Sequence, residues 1–188
     1  MKLSPMNEEQ IKRLYEAHMR RDFPPSELKS LSSILRMVAA GCYDVLGAYQ
    51  DGELAAYALV YCPRGERCVL LDYLAVPPEL RGKGIGSAFV SVLRRYYSSR
   101  ADVLLIECER PKTAPDESEA RNRIRFYTQA GAKLTSVRIW LFEVEYSILV
   151  LPCEKYVPEK DWAEQMLSMY RQMLPAELYA QYVRLIRA

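Results

Sequence analysis

The sequence predicts an α/β fold built around a strand–helix–strand crossover, and three observations lead to this expectation. A mostly apolar stretch at 69–76 is typical of a strand that is buried on both faces. An amphipathic helical pattern at 84–97 follows it. A second apolar strand at 103–109 comes next and completes the crossover unit. The length of 188 residues suits one domain with a small appendage.

Two helices are predicted before the crossover. Asn7 and Gln10 have the spacing of a capping box, which starts a helix at about residues 8–20. A second helix follows and reaches a natural stop at Gly41. The pattern then changes to strands at 43–50 and 53–62.

The dipeptide Asp51–Gly52 between these two strands is a strong signal for a two-residue hairpin turn. A second turn is predicted at Arg64–Gly65, just before the first strand of the crossover. Together these turns predict three strands that follow one another before the chain reaches the central helix.

After the crossover, the pattern predicts a helix at 116–130 and two strands at 133–144 and 146–153. The first turn of this helix is acidic, which suits the positive end of the helix dipole. Its end is marked by Gly131.

The tail from Pro158 carries two amphipathic helices separated by Pro175. The stripe of the second tail helix consists of Leu178, Tyr179, Tyr182, Val183 and Ile186. We therefore expect a main domain at 1–157 and a helical extension at 158–188 that packs on it.

Composition excludes several classes of function. The net charge is only +2, which argues against a nucleic-acid-binding face. No apolar run is long enough to span a bilayer, and residues 1–10 lack the apolar stretch of a signal peptide, so a cytoplasmic protein without membrane contact is expected. The five cysteines have no CxxC spacing and are interpreted as reduced thiols. The one histidine, His18, fits a packed position better than a catalytic one, and no metal site is expected.

A glycine-rich stretch, Arg81-Gly82-Lys83-Gly84-Ile85-Gly86, lies between the apolar strand and the crossover helix. Glycine lets the backbone turn tightly and approach a ligand closely. The first turn of a helix offers unpaired N–H groups and the positive end of the helix dipole. Two basic side chains add positive charge, so the stretch predicts a site for a phosphate-bearing ligand.

Three interpretations of this stretch compete. A Walker loop requires a lysine after its glycines, whereas Lys83 precedes two of them. A dinucleotide fingerprint GxGxxG would require glycine where Ser87 stands, although Glu107 or Glu109 could supply its acidic residue. The third pattern, R-x-x-G-x-G, is met by Arg81 with the glycines at 84 and 86.

This third pattern, from Leu74 to Ser87, resembles the acetyl-CoA-binding motif of the GNAT acetyltransferase superfamily. The stretch RFYTQAGA, residues 125–132, resembles the later helix of the same family, in which a tyrosine precedes a glycine by four residues. The resemblance covers residues 1–153. It implies a mixed, mostly antiparallel central sheet flanked by helices, here with the C-terminal helical extension added.

The resemblance also implies residues that contact acetyl-CoA, the cosubstrate. The strand would hydrogen-bond the pantetheine arm, and the loop and helix start would hold the pyrophosphate, with Arg81 and Gly82 at the entrance. The strand residues are Leu74, Ala75 and Val76, and the pyrophosphate residues are Lys83, Gly84, Ile85, Gly86 and Ser87. Ala120 stands where the family often has a cofactor-binding asparagine, so Arg123 is expected to approach the cofactor instead.

The implied reaction is transfer of an acetyl group from acetyl-CoA to an amine by direct attack. Tyr127 occupies the place of the family's general acid, which protonates the departing CoA thiolate. A protonated amine must lose a proton before it attacks, and a carboxylate, directly or through water, is the usual base. Glu107 and Asp72 are the candidates, with Glu109 as a further strand-end carboxylate.

The acceptor is expected to be a small-molecule amine or a peptide amine. The C-terminal extension would either cover the acceptor site or form a contact in a homodimer. The alternative to an acetyltransferase is a non-catalytic acyl-CoA-binding sensor or scaffold. This alternative remains because Ala120 replaces the family's cofactor-binding asparagine and the sequence does not identify the catalytic base.

Overall fold

Residues 1–153 and 161–186 are described by the structure, which is a computed structural model. The chain divides into two units, one formed by Met1–Arg64 with Leu70–Tyr96, and the other by Gly65–Val69 with Tyr97–Ala188. The predicted domain boundary between residues 157 and 158 lies outside the described residues.

The first unit contains four strands in the spatial order β1-β2-β3-β4, each antiparallel to its neighbour. Their bounds are β1 Lys2–Pro5, β2 Tyr43–Gln50, β3 Glu53–Tyr61 and β4 Cys68–Ala75. Its helices are α1 Glu8–Leu14, α2 Arg20–Asp22, α3 Leu31–Ala39 and α4 Ile85–Tyr97.

The N-terminal helix begins as the sequence predicts, because Asn7 and Gln10 form a capping box with both hydrogen bonds present. Its course differs from the prediction. A π-helical turn, Tyr15–Met19, separates α1 from α2, so the predicted helix at 8–20 is not a regular α-helix throughout. Leu14 at the end of α1 and Met19 at the end of the π-helical turn are both buried.

The hairpin between β2 and β3 is confirmed in detail. Asp51 and Gly52 both have positive φ, at 52° and 86°, as a type I′ turn requires. The strand bounds agree with the sequence to within one residue. Gly41 also has positive φ, which matches its predicted place after α3.

The second unit contains four strands in the order β5-β7-β6-β8, again with antiparallel pairing. Their bounds are β5 Val103–Glu109, β6 Lys133–Leu141, β7 Val144–Pro152 and β8 Val183–Ile186. Its helices are α5 Glu117–Gln129, α6 Trp162–Met173 and α7 Ala176–Tyr182. The chain is thus a mixed α/β protein with mostly antiparallel strands flanked by helices.

Two strands at the ends of the chain were not predicted. The second tail helix was expected to include Val183 and Ile186, but it ends at Tyr182 and the next four residues form β8. β8 pairs with β6 through Leu141↔Val183. The exposed edge of β6 offers ladder hydrogen bonds, and branched residues suit a strand, so tertiary pairing overrides the helical periodicity here. β1 is likewise a short edge strand, held by pairing with β2.

The first predicted tail helix is present as α6 and is amphipathic. Trp162, Met166, Met169 and Tyr170 are buried on one face of α6. Asp161 caps its N-terminus by accepting a hydrogen bond from the backbone N–H of Glu164. The apolar face of α6 is therefore buried within the second unit.

Candidate functional site

The loop that leads from β4 into α4 has the backbone that a close ligand approach requires. Gly82 and Gly84 have φ of 75° and 76°, a region that residues with a Cβ rarely adopt. A Cβ built on either glycine would meet no atom within 4 Å, so both face open space. Neighbouring atoms therefore do not require a small residue at either position. The positive φ is the structural reason for glycine at both.

The start of α4 presents its amides in the way that an anion site needs. The first intrahelical hydrogen bond runs from Ala88 N–H to the carbonyl of Gly84, at 3.1 Å. The amides of residues 85–87 therefore precede the helical ladder, at the positive end of the helix dipole. Gly86 is half-buried and Ser87 is exposed. This arrangement fits the pyrophosphate site expected from the sequence.

Both basic side chains of the loop are exposed and tied to the loop's own backbone. Arg81 donates from Nε to the carbonyl of Val76 at 2.9 Å. Lys83 donates from Nζ to the carbonyl of Glu79 at 3.1 Å. The guanidinium thus closes the loop back on the end of β4 and keeps positive charge at its entrance.

The strand segment expected to bind the pantetheine arm lies at the end of β4. Ala75 pairs with Tyr57 of β3, and Leu74 pairs with Ala58. Ala75 is buried, whereas Leu74 and Val76 are half-buried. The strand therefore leads directly into the glycine loop.

Asp72 is the extra residue of a β-bulge in β4. Val60 pairs with Leu71 and Leu59 with Tyr73, so Asp72 has no partner opposite it. Its side chain is only 7% exposed. Lys29 donates to both carboxylate oxygens at 2.8 Å, and the Tyr43 hydroxyl donates to Oδ2. The bulge thus explains how a carboxylate interrupts an apolar strand.

Burial and the neighbouring carboxylate act on Tyr43 together. Burial raises the pKa of its hydroxyl well above the usual value, and the charge of Asp72 raises it further. The phenol therefore remains a hydrogen-bond donor to Asp72 throughout the physiological pH range.

Tyr127 lies on α5 in the second unit and is buried. Burial is the main cause that raises the pKa of its hydroxyl, the thiol of Cys108 adds to the increase, and Arg123 opposes it. Its ring packs edge-on against Phe126 at 4.9 Å between centroids. The hydroxyl is thus held in its protonated form, as a proton donor must be.

Glu107 and Glu109 lie on one face of β5, as the alternation of a strand predicts. Glu107 is half-buried, and its Oε1 atom is fully buried. Glu109 accepts from Arg123 Nη1 at 3.2 Å. The two carboxylates therefore have different surroundings.

Arg123 lies between two acidic side chains. Besides Glu109, its Nη2 contacts Glu119 one turn earlier on α5, at 3.2 Å. These carboxylates balance the guanidinium charge that was expected to approach the cofactor. Ala120 is completely buried, so a longer asparagine side chain at that position would have to displace packed neighbours.

A buried ion-pair cluster in the second unit was not predicted. Glu145 of β7 is 6% exposed and accepts from Arg110 Nη1 with both oxygens, at 2.9 and 3.0 Å. Thr113 and Arg138 also contact this carboxylate, at 3.3 and 3.7 Å. The cluster fixes the loop after β5 against β7. No spacing signal connects these residues, which lie up to 35 positions apart in sequence.

The described part of the chain contains neither a candidate metal site nor a membrane-spanning helix. Across residues 1–153 and 161–186, no group of three or more His, Cys, Asp or Glu side chains could hold a metal ion. Among the same residues, no helix is long and apolar enough to cross a membrane.

Comparison with known proteins decides the family. The model of the acetyltransferase (GNAT) family matches residues 8–132, about two thirds of the chain. The chain belongs to the GNAT acetyltransferase family. Members of this family use acetyl-CoA to acetylate amines, which agrees with the loop and helix geometry. No curated protein matches the sequence of this GNAT protein.

Solved structures share the GNAT fold at low sequence identity. A GNAT-family protein from Bacteroides thetaiotaomicron is 20% identical, with 90% of this chain and 96% of that chain covered and a TM-score of 0.73. A ribosomal-protein-alanine N-acetyltransferase from Escherichia coli is 18% identical, with 85% and 97% covered and a TM-score of 0.60. Spermidine N-acetyltransferase from Vibrio cholerae, solved with CoA and spermine, is 10% identical, with 82% and 96% covered and a TM-score of 0.64.

Proposed function

We propose that this protein transfers the acetyl group of acetyl-CoA to an amine by direct attack, without a covalent enzyme intermediate. The observation that carries the proposal is the β4–α4 junction. There, two glycines with positive φ and a helix start present backbone amides beside Arg81 and Lys83. Membership of the GNAT family makes acetyl-CoA the ligand of choice for this anion site.

The amides of residues 83–87 hold the pyrophosphate in this proposal, and Arg81 and Gly82 form the entrance of the site. The open space beside Gly82 and Gly84 supports this role, because a phosphate can approach the backbone there without meeting a Cβ. Leu74, Ala75 and Val76 hydrogen-bond the amide-bearing pantetheine arm through the backbone, as a strand binds an extended ligand.

Glu107 is the base that we propose for the amine. Both oxygens of Asp72 are bound by Lys29, and one also accepts from Tyr43, so this carboxylate is engaged in holding the bulge of β4. Glu107 is half-buried on β5, and a positioned carboxylate is a usual general base for this kind of reaction. We assign Asp72 the supporting role and Glu107 the catalytic one.

Tyr127 is the proposed general acid. The amine nitrogen attacks the thioester carbonyl, the C–S bond breaks, and the phenol gives its proton to the departing sulfur. Glu107, or a water it activates, takes the proton that the ammonium group loses before attack. The nitrogen loses its second proton after the C–N bond forms, and this proton restores the Tyr127 phenol directly or through solvent. Burial keeps Tyr127 protonated at neutral pH, which supports this role.

Arg123 remains a proposed cofactor contact of secondary importance. Its guanidinium is balanced by Glu109 and Glu119, so it can add a directed hydrogen bond but little net attraction to a phosphate. A substitution of Arg123 should therefore weaken acetyl-CoA binding less than a change in the glycine loop.

The acceptor that we propose is the amine of a small molecule or of a peptide. Among the structural neighbours, a spermidine N-acetyltransferase and a ribosomal-protein-alanine N-acetyltransferase represent these two classes of acceptor. We further propose that residues 1–157 form the acetyltransferase domain and that the C-terminal extension borders the acceptor or a dimer contact.

Two measurements test the proposed function. Acetyl-CoA at millimolar concentration should raise the melting temperature of the purified chain, and no shift in a folded sample would contradict cofactor binding. A panel of polyamines, amino acids and peptides should then contain at least one amine that causes CoA release. Cofactor binding without CoA release from any amine in the panel would favour the acyl-CoA sensor.

A further inference from the structure

Two cysteines lie opposite each other at the open end of the β2–β3 hairpin. The register of this hairpin pairs Tyr43 with Tyr61, so continuing it by one residue places Cys42 opposite Cys62. A backbone hydrogen bond confirms this pairing, because Cys62 N–H donates to the carbonyl of Cys42 at 2.8 Å. The two cysteines are therefore a cross-strand pair, although 20 positions separate them in sequence.

The geometry of such a pair suits a disulfide. Directly opposite residues joined by ladder hydrogen bonds have Cα atoms about 5.5 Å apart. Disulfides join residues whose Cα atoms are about 4.4–6.8 Å apart, so the pair falls within this range. A disulfide requires the two Cβ atoms to move slightly closer together. The backbone can adjust more readily at this position than inside the hairpin, because Cys42 precedes β2 and the ladder ends there.

Directly opposite residues of an antiparallel pair project from the same face, so both thiols belong to one face of the hairpin. Cys62 Sγ lies 3.6 Å from Asp44 Oδ2 and 3.6 Å from the carbonyl oxygen of Val60. Cys42 Sγ donates to the carbonyl of Met37 at 3.4 Å. The carbonyl of Met37 also accepts a hydrogen bond from Cys42 N–H at 3.2 Å. Rotation of the Cys42 thiol would therefore leave this backbone contact between Cys42 and the end of α3 in place.

Accessibility separates this pair from the other cysteines. Cys42 and Cys62 are half-buried, whereas Cys68, Cys108 and Cys153 are buried. Burial also raises the pKa of the Cys108 thiol to about 12, which keeps it in the unreactive protonated form. An oxidant in solution therefore reaches the pair in preference to the other three thiols.

We propose that Cys42 and Cys62 are a site of reversible oxidation, at which exchange with a small-molecule disulfide forms an intrachain disulfide. One protein thiolate attacks the small disulfide, which gives a mixed disulfide and releases one small thiol. The second protein thiolate then attacks the protein sulfur of the mixed disulfide and releases the other small thiol. The protein loses two electrons and two thiol protons, which the two released thiols carry away.

This disulfide would link the open ends of β2 and β3 covalently. It joins the residue before β2 to the residue after β3, next to Tyr43, which holds Asp72 in the bulge of β4. The closed loop removes conformational freedom from the unfolded chain, so the oxidised protein should melt at a higher temperature than the reduced one.

The sequence makes the test direct. Arg36 and Arg64 flank both thiols, and no lysine or arginine lies between them, so one tryptic peptide, residues 37–64, contains the pair. The other three cysteines fall in three separate tryptic peptides. The full chain is incubated with oxidised glutathione, its remaining thiols are alkylated, and it is digested without reducing agent.

We expect peptide 37–64 to be recovered unalkylated and lighter by about 2 Da than the reduced form, as loss of two hydrogens requires. Digestion after Glu53 should leave two fragments that separate only on reduction. Recovery of this peptide carrying only glutathione or two alkyl groups would overturn the proposal, as would a disulfide to any other cysteine.

Two variants and a melting measurement complete the test. Cys42→Ser and Cys62→Ser should each abolish the 2 Da loss and leave one glutathione on the remaining thiol. Oxidation should raise the melting temperature of the unmodified chain by on the order of 5–10 °C and leave both variants unchanged. A lower melting temperature on oxidation would show that the bond is forced on the fold, and would count against the site.

Discussion

Tyr43 of β2 donates its hydroxyl hydrogen to Oδ2 of Asp72, the residue that bulges from β4. This contact joins two strands that are not neighbours, since β3 lies between them in the order β1-β2-β3-β4. Lys29, just before α3, binds the same carboxylate and brings the opposite charge that a buried carboxylate requires. Asp72 therefore organises the strand that ends at the proposed cofactor loop.

Tyr43→Phe should lower the free energy of unfolding by about 1.5–3 kcal/mol, the usual contribution of a hydrogen bond to a charged group. The substitution removes only the hydroxyl, so packing of the ring is retained. Urea unfolding followed by circular dichroism measures the change. Tyr61→Phe is the matched control, because Tyr61 is opposite Tyr43 on β3 and equally buried. Equal losses in both variants would show that the contact with Asp72 contributes nothing specific.

Glu107→Gln should separate the two candidate bases. An amide cannot accept the proton of the amine, so kcat should fall by about 100- to 10,000-fold while acetyl-CoA binding is retained. Asp72→Asn should instead act mainly on stability, because Lys29 would lose its ionic partner. Steady-state kinetics and thermal melting of both variants measure the two effects. The assignment would be reversed if Asp72→Asn, when still folded, lost more turnover than Glu107→Gln.

Much of the fold followed from local signals, and the differences have identifiable physical causes. The capping box at Asn7 and the turn at Asp51–Gly52 are complete within a few residues, so the sequence predicted them correctly. β8 depends on the edge of β6, more than 40 residues earlier, and the helical periodicity of its residues predicted the wrong element. Pairing of this kind carries no local signal.

The same distinction applies to the candidate site. The glycine loop and α4 are contiguous in sequence, and their geometry agrees with the expectation. The partners of Asp72 lie 29 and 43 positions away, so the sequence showed an unusual carboxylate in a strand but not that Tyr43 and Lys29 engage it. The contacts of Asp72 therefore add a physical reason to prefer Glu107 as the proposed base, which the sequence could not supply.

Tyr127→Phe should reduce kcat by about 100-fold or more and leave acetyl-CoA affinity nearly unchanged, because only the proton donor is lost. Tyr170→Phe is the control, since it makes the same change in another buried helical tyrosine of the second unit. The pKa of Tyr127 is raised above its ordinary value of about 10, so ionisation of this phenol should cost no activity between pH 8 and 10. Full turnover in Tyr127→Phe would remove the residue from the mechanism.

Gly84→Ala should weaken acetyl-CoA binding by at least tenfold. A Cβ at φ of 76° costs about 1–2 kcal/mol of backbone strain and projects into the space proposed for the pyrophosphate. Isothermal titration with acetyl-CoA measures the affinity. Gly41→Ala is the control for strain, because Gly41 has nearly the same φ and equally open surroundings at the end of α3. Similar affinity losses in both variants would show a general effect of strain.

A substitution in the turn between β6 and β7 should raise the free energy of unfolding, because this turn holds two non-glycine residues at positive φ. Phe142 and Glu143 have φ of 45° and 68°, where type I′ turns favour Asn and Gly. Glu143→Gly relieves one of them and keeps the Phe142 ring against Tyr182, so the free energy of unfolding should rise by about 1 kcal/mol. Glu53→Gly is the control at the corresponding hairpin of the first unit. Glu53 lies in β3, where glycine should destabilise. A loss of stability in Glu143→Gly as large as in Glu53→Gly would mean that Glu143 makes a favourable contact that outweighs its backbone strain.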